Sequence, residues 1–277
     1  MKKTAIALAV LIAVGLTGYW LARDDPGLYV PSDLSDLYQA PNSPVILKDV
    51  SALEDGVVIE RDLPVVVRDG NRLSANVFRP AAADTYPVVM MLTAYHKDED
   101  PTRYPDILRN HLKPEFNLGP IAVSPWTPWE GADPAYWVQQ GYAVVTLDSR
   151  GYGKSEGVAS VLTMQDRHDF HDAITWAGTQ EWSNGRVGLT GVSYLAIAQW
   201  VAGSDAPEHL KAIMPWEGQS DNFREVLFHG GIPETAFTAF WLDRMRRKAN
   251  ESSLPPTFAV NFAGKRPMVM KWLQQNV

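Results

Sequence analysis

The chain has 277 residues, of which 45% are hydrophobic and 21% are charged, and this composition is typical of a globular protein with a sizeable core. The formal net charge is −7, and no Lys/Arg-rich run follows the N-terminus, which argues against a nucleic-acid partner because phosphate binding needs clustered cations. The sequence contains no cysteine, and this excludes disulfides, thiolate metal sites and a cysteine nucleophile.

Residues 1–23 have the pattern of an export signal or a membrane anchor. Lys2 and Lys3 supply positive charge, and the apolar run over residues 4–22 ends before Arg23. At about 1.5 Å per residue, this run is long enough to span the hydrocarbon core of a bilayer. No clear cleavage motif follows, so a cleaved signal and a retained anchor both stay open, and a buried helix of a cytosolic protein is the alternative. Either of the first two interpretations predicts an exported protein, periplasmic or anchored on the outer side of the membrane.

Residues 24–55 are rich in Pro, Ser and Asp, and we interpret them as a linker that leads into the folded domain. A β-hairpin is predicted next, because apolar stretches at residues 63–68 and 73–78 flank an Asp-Gly pair. Residues 86–93 form a short apolar run that fits a strand buried on both faces of a sheet.

Strands and helices then alternate along the chain. Helices are predicted at residues 134–140, 164–178 and 194–203, and buried strands at residues 142–147, 186–190 and 210–214. This alternation indicates an α/β fold with a mostly parallel sheet and helices on both faces. From Asn222 onward the sequence becomes aromatic and helical, which suggests a helical lid. The predicted division is a core over residues 56–218 and the start of the lid over residues 219–277.

Ser193 follows the predicted strand 186–190, at the sheet edge where parallel α/β folds collect their reactive groups. Gly191 allows a sharp turn into the next helix, which would expose the serine hydroxyl beside the helix N-terminus. In the pattern G-x-S-x-G the last position is Ala196 here, so this motif alone is weak. Taken by itself, it is also compatible with a serine that caps the helix.

Two longer blocks surround this serine. Residues 182–196 read WSNGRVGLTGVSYLA, and residues 148–157 read DSRGYGKSEG. They resemble the blocks W-x-N-G-x-V-G-x-x-G-x-S-Y-x-G and D-x-R-G-x-G-x-S-x-G of the X-Pro dipeptidyl-peptidase and cocaine-esterase family of serine hydrolases. The resemblance extends over residues 57–245 and implies an α/β-hydrolase fold with Ser193 as the nucleophile.

The resemblance also implies an oxyanion hole with two donors. One donor is the backbone N–H of Tyr194, the residue after the nucleophile. The other comes from the loop after the strand 86–93, where the family uses a tyrosine hydroxyl and this chain has Tyr95. Such donors stabilise the charge that develops on the carbonyl oxygen during acyl transfer. An aromatic ring that only packs over the sheet edge is the alternative role for Tyr95.

The general base and its acidic partner are not evident in the sequence. In this fold the order along the chain is Ser, then Asp or Glu, then His. His209 precedes the strand 210–214 and therefore lies at the wrong end of the sheet, and His229 lies at the start of the predicted lid. We therefore expect the triad Asp and His beyond Val277, with the chain stopping inside the lid.

The leading hypothesis is a serine hydrolase that cleaves an ester or amide, including Xaa-Pro dipeptidyl substrates, through an acyl-enzyme on Ser193. No metal or organic cofactor is expected, and the expected partner is a small-molecule ester, amide or peptide. Glu217 and Asp221 are candidates to bind a substrate amine, and the aromatic stretch at residues 237–241 fits either an acyl pocket or lid core. The alternative is a catalytically incompetent fragment, or a non-catalytic exported binding protein that keeps the scaffold.

Overall fold

The structure is a computed structural model that describes residues 45–101, 121–234 and 237–250. These residues form ten strands and four α-helices, together with a 3-10 helix at Ser51–Gly56 and a π-helical turn at Phe223–Leu227. In chain order the strands and helices are β1 (Val45–Leu47), β2 (Val57–Val66), β3 (Arg72–Pro80), β4 (Tyr86–Thr93), β5 (Ile121–Val123), α1 (Pro134–Gln139), β6 (Ala143–Asp148), α2 (Met164–Gly178), β7 (Ser183–Val192), α3 (Tyr194–Gly203), β8 (Leu210–Trp216), β9 (Phe228–His229), β10 (Ile232–Pro233) and α4 (Phe237–Lys248).

Six strands form one mixed sheet with the order β2-β3-β6-β4-β7-β8. The pairs β2/β3 and β3/β6 are antiparallel, and the pairs β6/β4, β4/β7 and β7/β8 are parallel. This arrangement confirms the predicted α/β-hydrolase fold with a mostly parallel sheet. Strands β1 and β5 pair in a separate parallel sheet, and β9 and β10 form a short antiparallel pair.

The predicted hairpin and helices are found at the expected places. Gly70 adopts a φ of 87° in the turn between β2 and β3, and its N–H donates to the carbonyl of Val67 over 2.8 Å. Helices α2 and α3 have the predicted bounds. At the N-terminus of α2, the Thr163 side chain accepts hydrogen bonds from two backbone N–H groups, which accounts for the start of the helix.

The core has two layers, one on each face of the sheet. On one face, Phe170 and Ile174 of α2 and Ala198 of α3 pack with the inward side chains of the central strands. On the other face, Val138 of α1 and Met245 of α4 are buried in a second cluster. Apolar strands covered on both faces explain why the sequence of the central strands is uniformly hydrophobic rather than alternating.

Three sequence predictions concern the ends of the chain. The predicted export segment, residues 1–23, lies outside the described residues and stays a prediction. The described part of the predicted linker contains β1, which pairs with β5, and the 3-10 helix. The described part of the predicted lid contains the π-helical turn, the β9/β10 pair and α4.

Among the helices that the structure describes, none combines the length and the apolarity needed to cross a bilayer.

Helix α2 carries two Arg–Asp pairs that differ in exposure. Asp169 accepts two hydrogen bonds of 2.7 Å from Arg150, and the exposed fractions of these side chains are 2% and 5%. Asp172 accepts from Arg68 in a similar two-bond geometry, but 45% of the Arg68 side chain is exposed. The buried pair ties the loop after β6 to α2, whereas solvent screens the exposed one.

The two pairs predict different losses of stability. Asp169→Ala should lower the free energy of unfolding by about 3 kcal/mol, because it leaves the Arg150 guanidinium buried without its main partner. Asp172→Ala should cost at most about 1 kcal/mol. Urea denaturation of both variants measures the difference, and equal losses would contradict a special role for the buried pair.

Candidate active site

Ser193 lies in a sharp turn between β7 and α3, at the carboxyl edge of the sheet. Its backbone has a φ of 58° and a ψ of −120°, a conformation that non-glycine residues rarely adopt. The Ser193 N–H donates to the carbonyl of Trp216 over 3.0 Å, and the Ser193 carbonyl accepts from the N–H of Ile197 over 3.0 Å. The side chain makes no capping hydrogen bond with the helix, and the residue is partly exposed. This is the geometry of a nucleophile turn rather than of a helix cap.

Small residues around the turn explain how the chain bends there. Gly191 has a φ of 141°, and a Cβ at this position would overlap the Leu195 side chain. Ala196 occupies the place where the family pattern has glycine, and Gly218 lies directly against it. A Cβ on Gly218 would come within 2.6 Å of the Ala196 Cβ. The methyl group of Ala196 is therefore accommodated because the facing residue has no side chain.

Tyr95 is brought to the same place by the loop after β4. Its side chain is buried, and its ring lies edge-on to the ring of Tyr194 with a centroid distance of 6.1 Å. A hydrogen bond with the Ser193 side chain is among the interactions that lower the pKa of Tyr95. Burial, and next the charge of Glu130, outweigh these and raise that pKa above the ordinary value of 10.0. The phenol therefore keeps its proton at neutral pH and can donate it in a hydrogen bond.

Tyr194 contributes its backbone and its side chain in different directions. As the first residue of α3, it has a backbone N–H without an acceptor inside the helix, next to Ser193. Its buried hydroxyl lies 3.0 Å from the Ser149 Oγ and donates to Asp166 Oδ2 over 3.2 Å. Burial raises the pKa of Asp166 to about 7. The side chain of Tyr194 thus fixes the turn through contacts in the protein interior, whereas its backbone N–H lies at the candidate site.

A buried ionic cluster fixes the loop that carries Tyr95. Asp148, at the end of β6, accepts from the backbone N–H of Lys97 over 2.7 Å and from that of Lys154 over 3.0 Å. The Lys97 side chain is fully buried and donates to Asp62 over 2.7 Å and to Asp98 over 2.9 Å. These bonds join the loops after β4 and β6, so the position of Tyr95 is set by charged groups as well as by packing.

Glu130 is a further acidic group at the site, and sequence reasoning missed it. Its carbonyl accepts from the N–H of Val192, next to Ser193, over 3.0 Å. Burial raises the pKa of Glu130 to about 7, and the nearby Glu217 raises it too, whereas hydrogen bonding to Tyr95 lowers it. Its Oε2 is buried and has no hydrogen-bond partner among the described residues. No motif in the sequence marks this position.

The described histidines interact with groups other than Ser193. His96 Nε2 donates to the carbonyl of Lys248 over 2.8 Å, and His209 Nδ1 lies 3.1 Å from the carbonyl of Gly185, at the opposite end of the sheet. His229 contacts the carbonyl of Glu225. The part of the chain that the structure describes therefore assigns no base to the serine.

The two predicted amine-binding residues are in different environments. Glu217 is exposed just after β8, with a φ of 51°, and lies at the same carboxyl edge of the sheet as Ser193. Asp221 is paired with Arg224 over 2.5 Å and accepts from the Arg224 N–H over 3.0 Å, and these bonds lower its pKa. Glu217 is thus the more available of the two for a ligand.

Comparison with known proteins agrees with this geometry. The X-Pro dipeptidyl-peptidase (S15) family matches residues 69–273. The chain therefore belongs to this family, which confirms the resemblance noted in the sequence.

Several relatives are enzymes by name. The chain is 31% identical over 173 residues to cocaine esterase from Rhodococcus sp. strain MB1 Bresler, covering 62% of this chain and 26% of the relative. It is 33% identical over 93 residues to a putative Xaa-Pro dipeptidyl-peptidase from Bacillus anthracis, covering 29% of this chain and 16% of the relative. The crystal structure of a CocE/NonD family hydrolase from Staphylococcus aureus matches with a TM-score of 0.65 and 37% identity, covering 81% of this chain and 42% of that one. The chain thus matches less than half the length of each of these relatives.

The contact between Ala196 and Gly218 predicts a compensating pair of substitutions. Gly218→Ala should lower the free energy of unfolding by about 1–3 kcal/mol, because the two methyl groups would overlap. Adding Ala196→Gly should recover part of this loss, since the remaining neighbours of the new Cβ are backbone atoms of residue 196 at 3.2 Å and 3.4 Å. Thermal unfolding of the single and double variants measures the coupling, and strictly additive effects would contradict the contact.

Proposed function

We propose that the protein is a serine hydrolase that cleaves an ester or amide bond through an acyl-enzyme on Ser193. The observation that carries this proposal is the backbone of Ser193, which is held at a φ of 58° between β7 and α3. A non-glycine residue in this conformation costs about 1–3 kcal/mol, and such strain is found mainly at functional sites. The buried Tyr95 hydroxyl beside it supports the same role.

The proposed reaction has two halves. The Ser193 Oγ attacks the substrate carbonyl while its proton passes to a histidine outside the described residues. The resulting oxyanion accepts hydrogen bonds from the Tyr95 hydroxyl and the Tyr194 N–H. Collapse of this intermediate breaks the bond to the alcohol or amine, which leaves with the proton from the histidine. Water then attacks the acyl-enzyme by the same steps, releasing the acid and restoring the Ser193 hydroxyl.

Small esters are the substrate class we propose first. The match to cocaine esterase extends over 173 residues, and the match to the putative Xaa-Pro dipeptidyl-peptidase over 93 residues. Xaa-Pro amides are the second class, and for these the exposed Glu217 carboxylate would bind the substrate ammonium group.

A fluorophosphonate probe tests the nucleophile. We expect the protein expressed from its complete gene to be labelled covalently at Ser193, because the probe reacts with activated serines and mimics the tetrahedral intermediate. Ser193→Ala should abolish labelling, and Ser204→Ala, at the exposed end of α3, should not change it. Mass spectrometry of the labelled peptide is the readout. Labelling that persists in Ser193→Ala would refute the assignment, and a native protein that is not labelled would favour the non-catalytic alternative.

Tyr95→Phe tests the second oxyanion donor. Removing the hydroxyl should lower kcat for p-nitrophenyl acetate by about ten- to a thousandfold, with little change in KM, because the lost bond forms mainly in the transition state. Tyr136, whose side chain is 54% exposed, provides the matched control Tyr136→Phe, which should leave both constants within about twofold. An unchanged kcat in Tyr95→Phe would remove Tyr95 from the site.

A further inference from the structure

One face of α4 contacts Tyr95 at three separate points. The Trp241 Nε1–H donates to the Tyr95 hydroxyl oxygen over 3.0 Å. The Arg244 guanidinium lies 5.7 Å from the centre of the Tyr95 ring, and the Lys248 ammonium donates to the Tyr95 carbonyl over 3.2 Å. Because these three residues follow one another at helical spacings of three and four, a single docked helix supplies all three contacts.

The part of the loop that follows Tyr95 is tied to the same helix. The neighbouring His96 donates from Nε2 to the carbonyl of Lys248 over 2.8 Å, and the Lys248 ammonium also pairs with Glu99 over 2.8 Å. The helix itself is anchored by Met245, which is fully buried in the core cluster on this face of the sheet. The end of α4 is therefore in a fixed position relative to the Tyr95 ring.

The direction of the Trp241 bond determines where the Tyr95 proton points. An indole nitrogen can only donate, whereas a phenol oxygen accepts with its lone pairs and donates a single proton. Since the Trp241 N–H already occupies one lone pair of the Tyr95 oxygen, the phenol proton must point away from the Trp241 indole. Ser193 and Glu130, at the candidate site, are two further groups with which the hydroxyl interacts.

We propose that Trp241 is a positioning residue that aims the hydroxyl proton of Tyr95 at the oxyanion of the reacting carbonyl. This inference rests on the proposed function, in which Tyr95 is an oxyanion donor. The donated indole bond also polarises the phenol, because hydrogen bonds in a chain strengthen one another. Trp241 touches Tyr95 and not the reacting atoms in this role, so its effect must pass through the Tyr95 hydroxyl.

A double-mutant cycle with p-nitrophenyl acetate tests this inference. Trp241→Phe keeps an aromatic ring and removes the N–H, and it should lower kcat about two- to tenfold with KM within about twofold. In the Tyr95→Phe background the same substitution should have no further effect on kcat, since the oxygen that accepts the bond is gone. The matched control is Trp200→Phe, at a site 43% exposed on α3, which should leave kcat unchanged.

The outcomes separate the inference from the proposed function. A full effect of Trp241→Phe in the Tyr95→Phe background, or none in the native background, would overturn the positioning role while leaving Tyr95 as a donor. An unchanged kcat in Tyr95→Phe alone would instead defeat the proposed oxyanion hole, and with it this inference.

A spectroscopic measurement does not require the Trp241 variant to fold. In the native protein labelled with ¹⁵N-tryptophan, the indole resonance of Trp241 should show slow hydrogen exchange. Tyr95→Phe should shift that resonance and increase its exchange rate, because the acceptor oxygen is removed. A Trp241 resonance that is the same in both proteins would show that the bond is not formed and would overturn the proposal.

Discussion

The strained backbone at Ser193 is the constraint on which the candidate site depends. A left-handed φ at a non-glycine residue persists only where the surrounding structure enforces it, and here the surroundings do so from two sides. The carbonyl of Trp216 on β8 holds the Ser193 N–H, and the carbonyl of Glu130 holds the N–H of the residue before it. Both acceptors lie on segments that are distant in the sequence. The partly exposed Ser193 is thus held in place by the assembled sheet as well as by the local motif.

Tyr95 is held by a different set of forces. The loop that carries it is joined to the end of β6 by Asp148, whose carboxylate is buried and accepts two backbone N–H groups. Burial raises the pKa of Asp148, while the charge of Lys97 acts against this. Lys97 in turn is buried among carboxylates, where losing one partner would leave an uncompensated charge. The phenol therefore has little freedom to move away from the serine, and this limited motion is what an oxyanion donor requires.

Local pattern was sufficient to predict the framework. The bounds of α2 and α3 follow from apolar spacing, whereas the short motif around Ser193 is weak by itself and needed the longer family blocks on either side of it. Tyr95 needed the family resemblance, since a tyrosine in a loop has no local signature. Contacts between residues far apart in the sequence were not predictable, because the sequence around each partner carries no pattern that marks the contact. Gly218 against Ala196 is one such contact, and Trp241 with Tyr95 is another. The strand β1 was missed because three residues within a polar segment carry no usable periodicity.

The two proposed oxyanion donors depend on different parts of the chain. The Tyr194 N–H belongs to the first turn of α3, which follows β7 directly and packs against the sheet. It is therefore in place whenever the sheet is folded. The Tyr95 hydroxyl is oriented by α4, which comes after the last strand of the sheet. If α4 undocks, the hydroxyl loses the indole bond, and its proton can then also point toward the side that α4 occupied. The proposed oxyanion hole is therefore more fragile than the fold, because one of its two donors is oriented by a helix that lies outside the sheet.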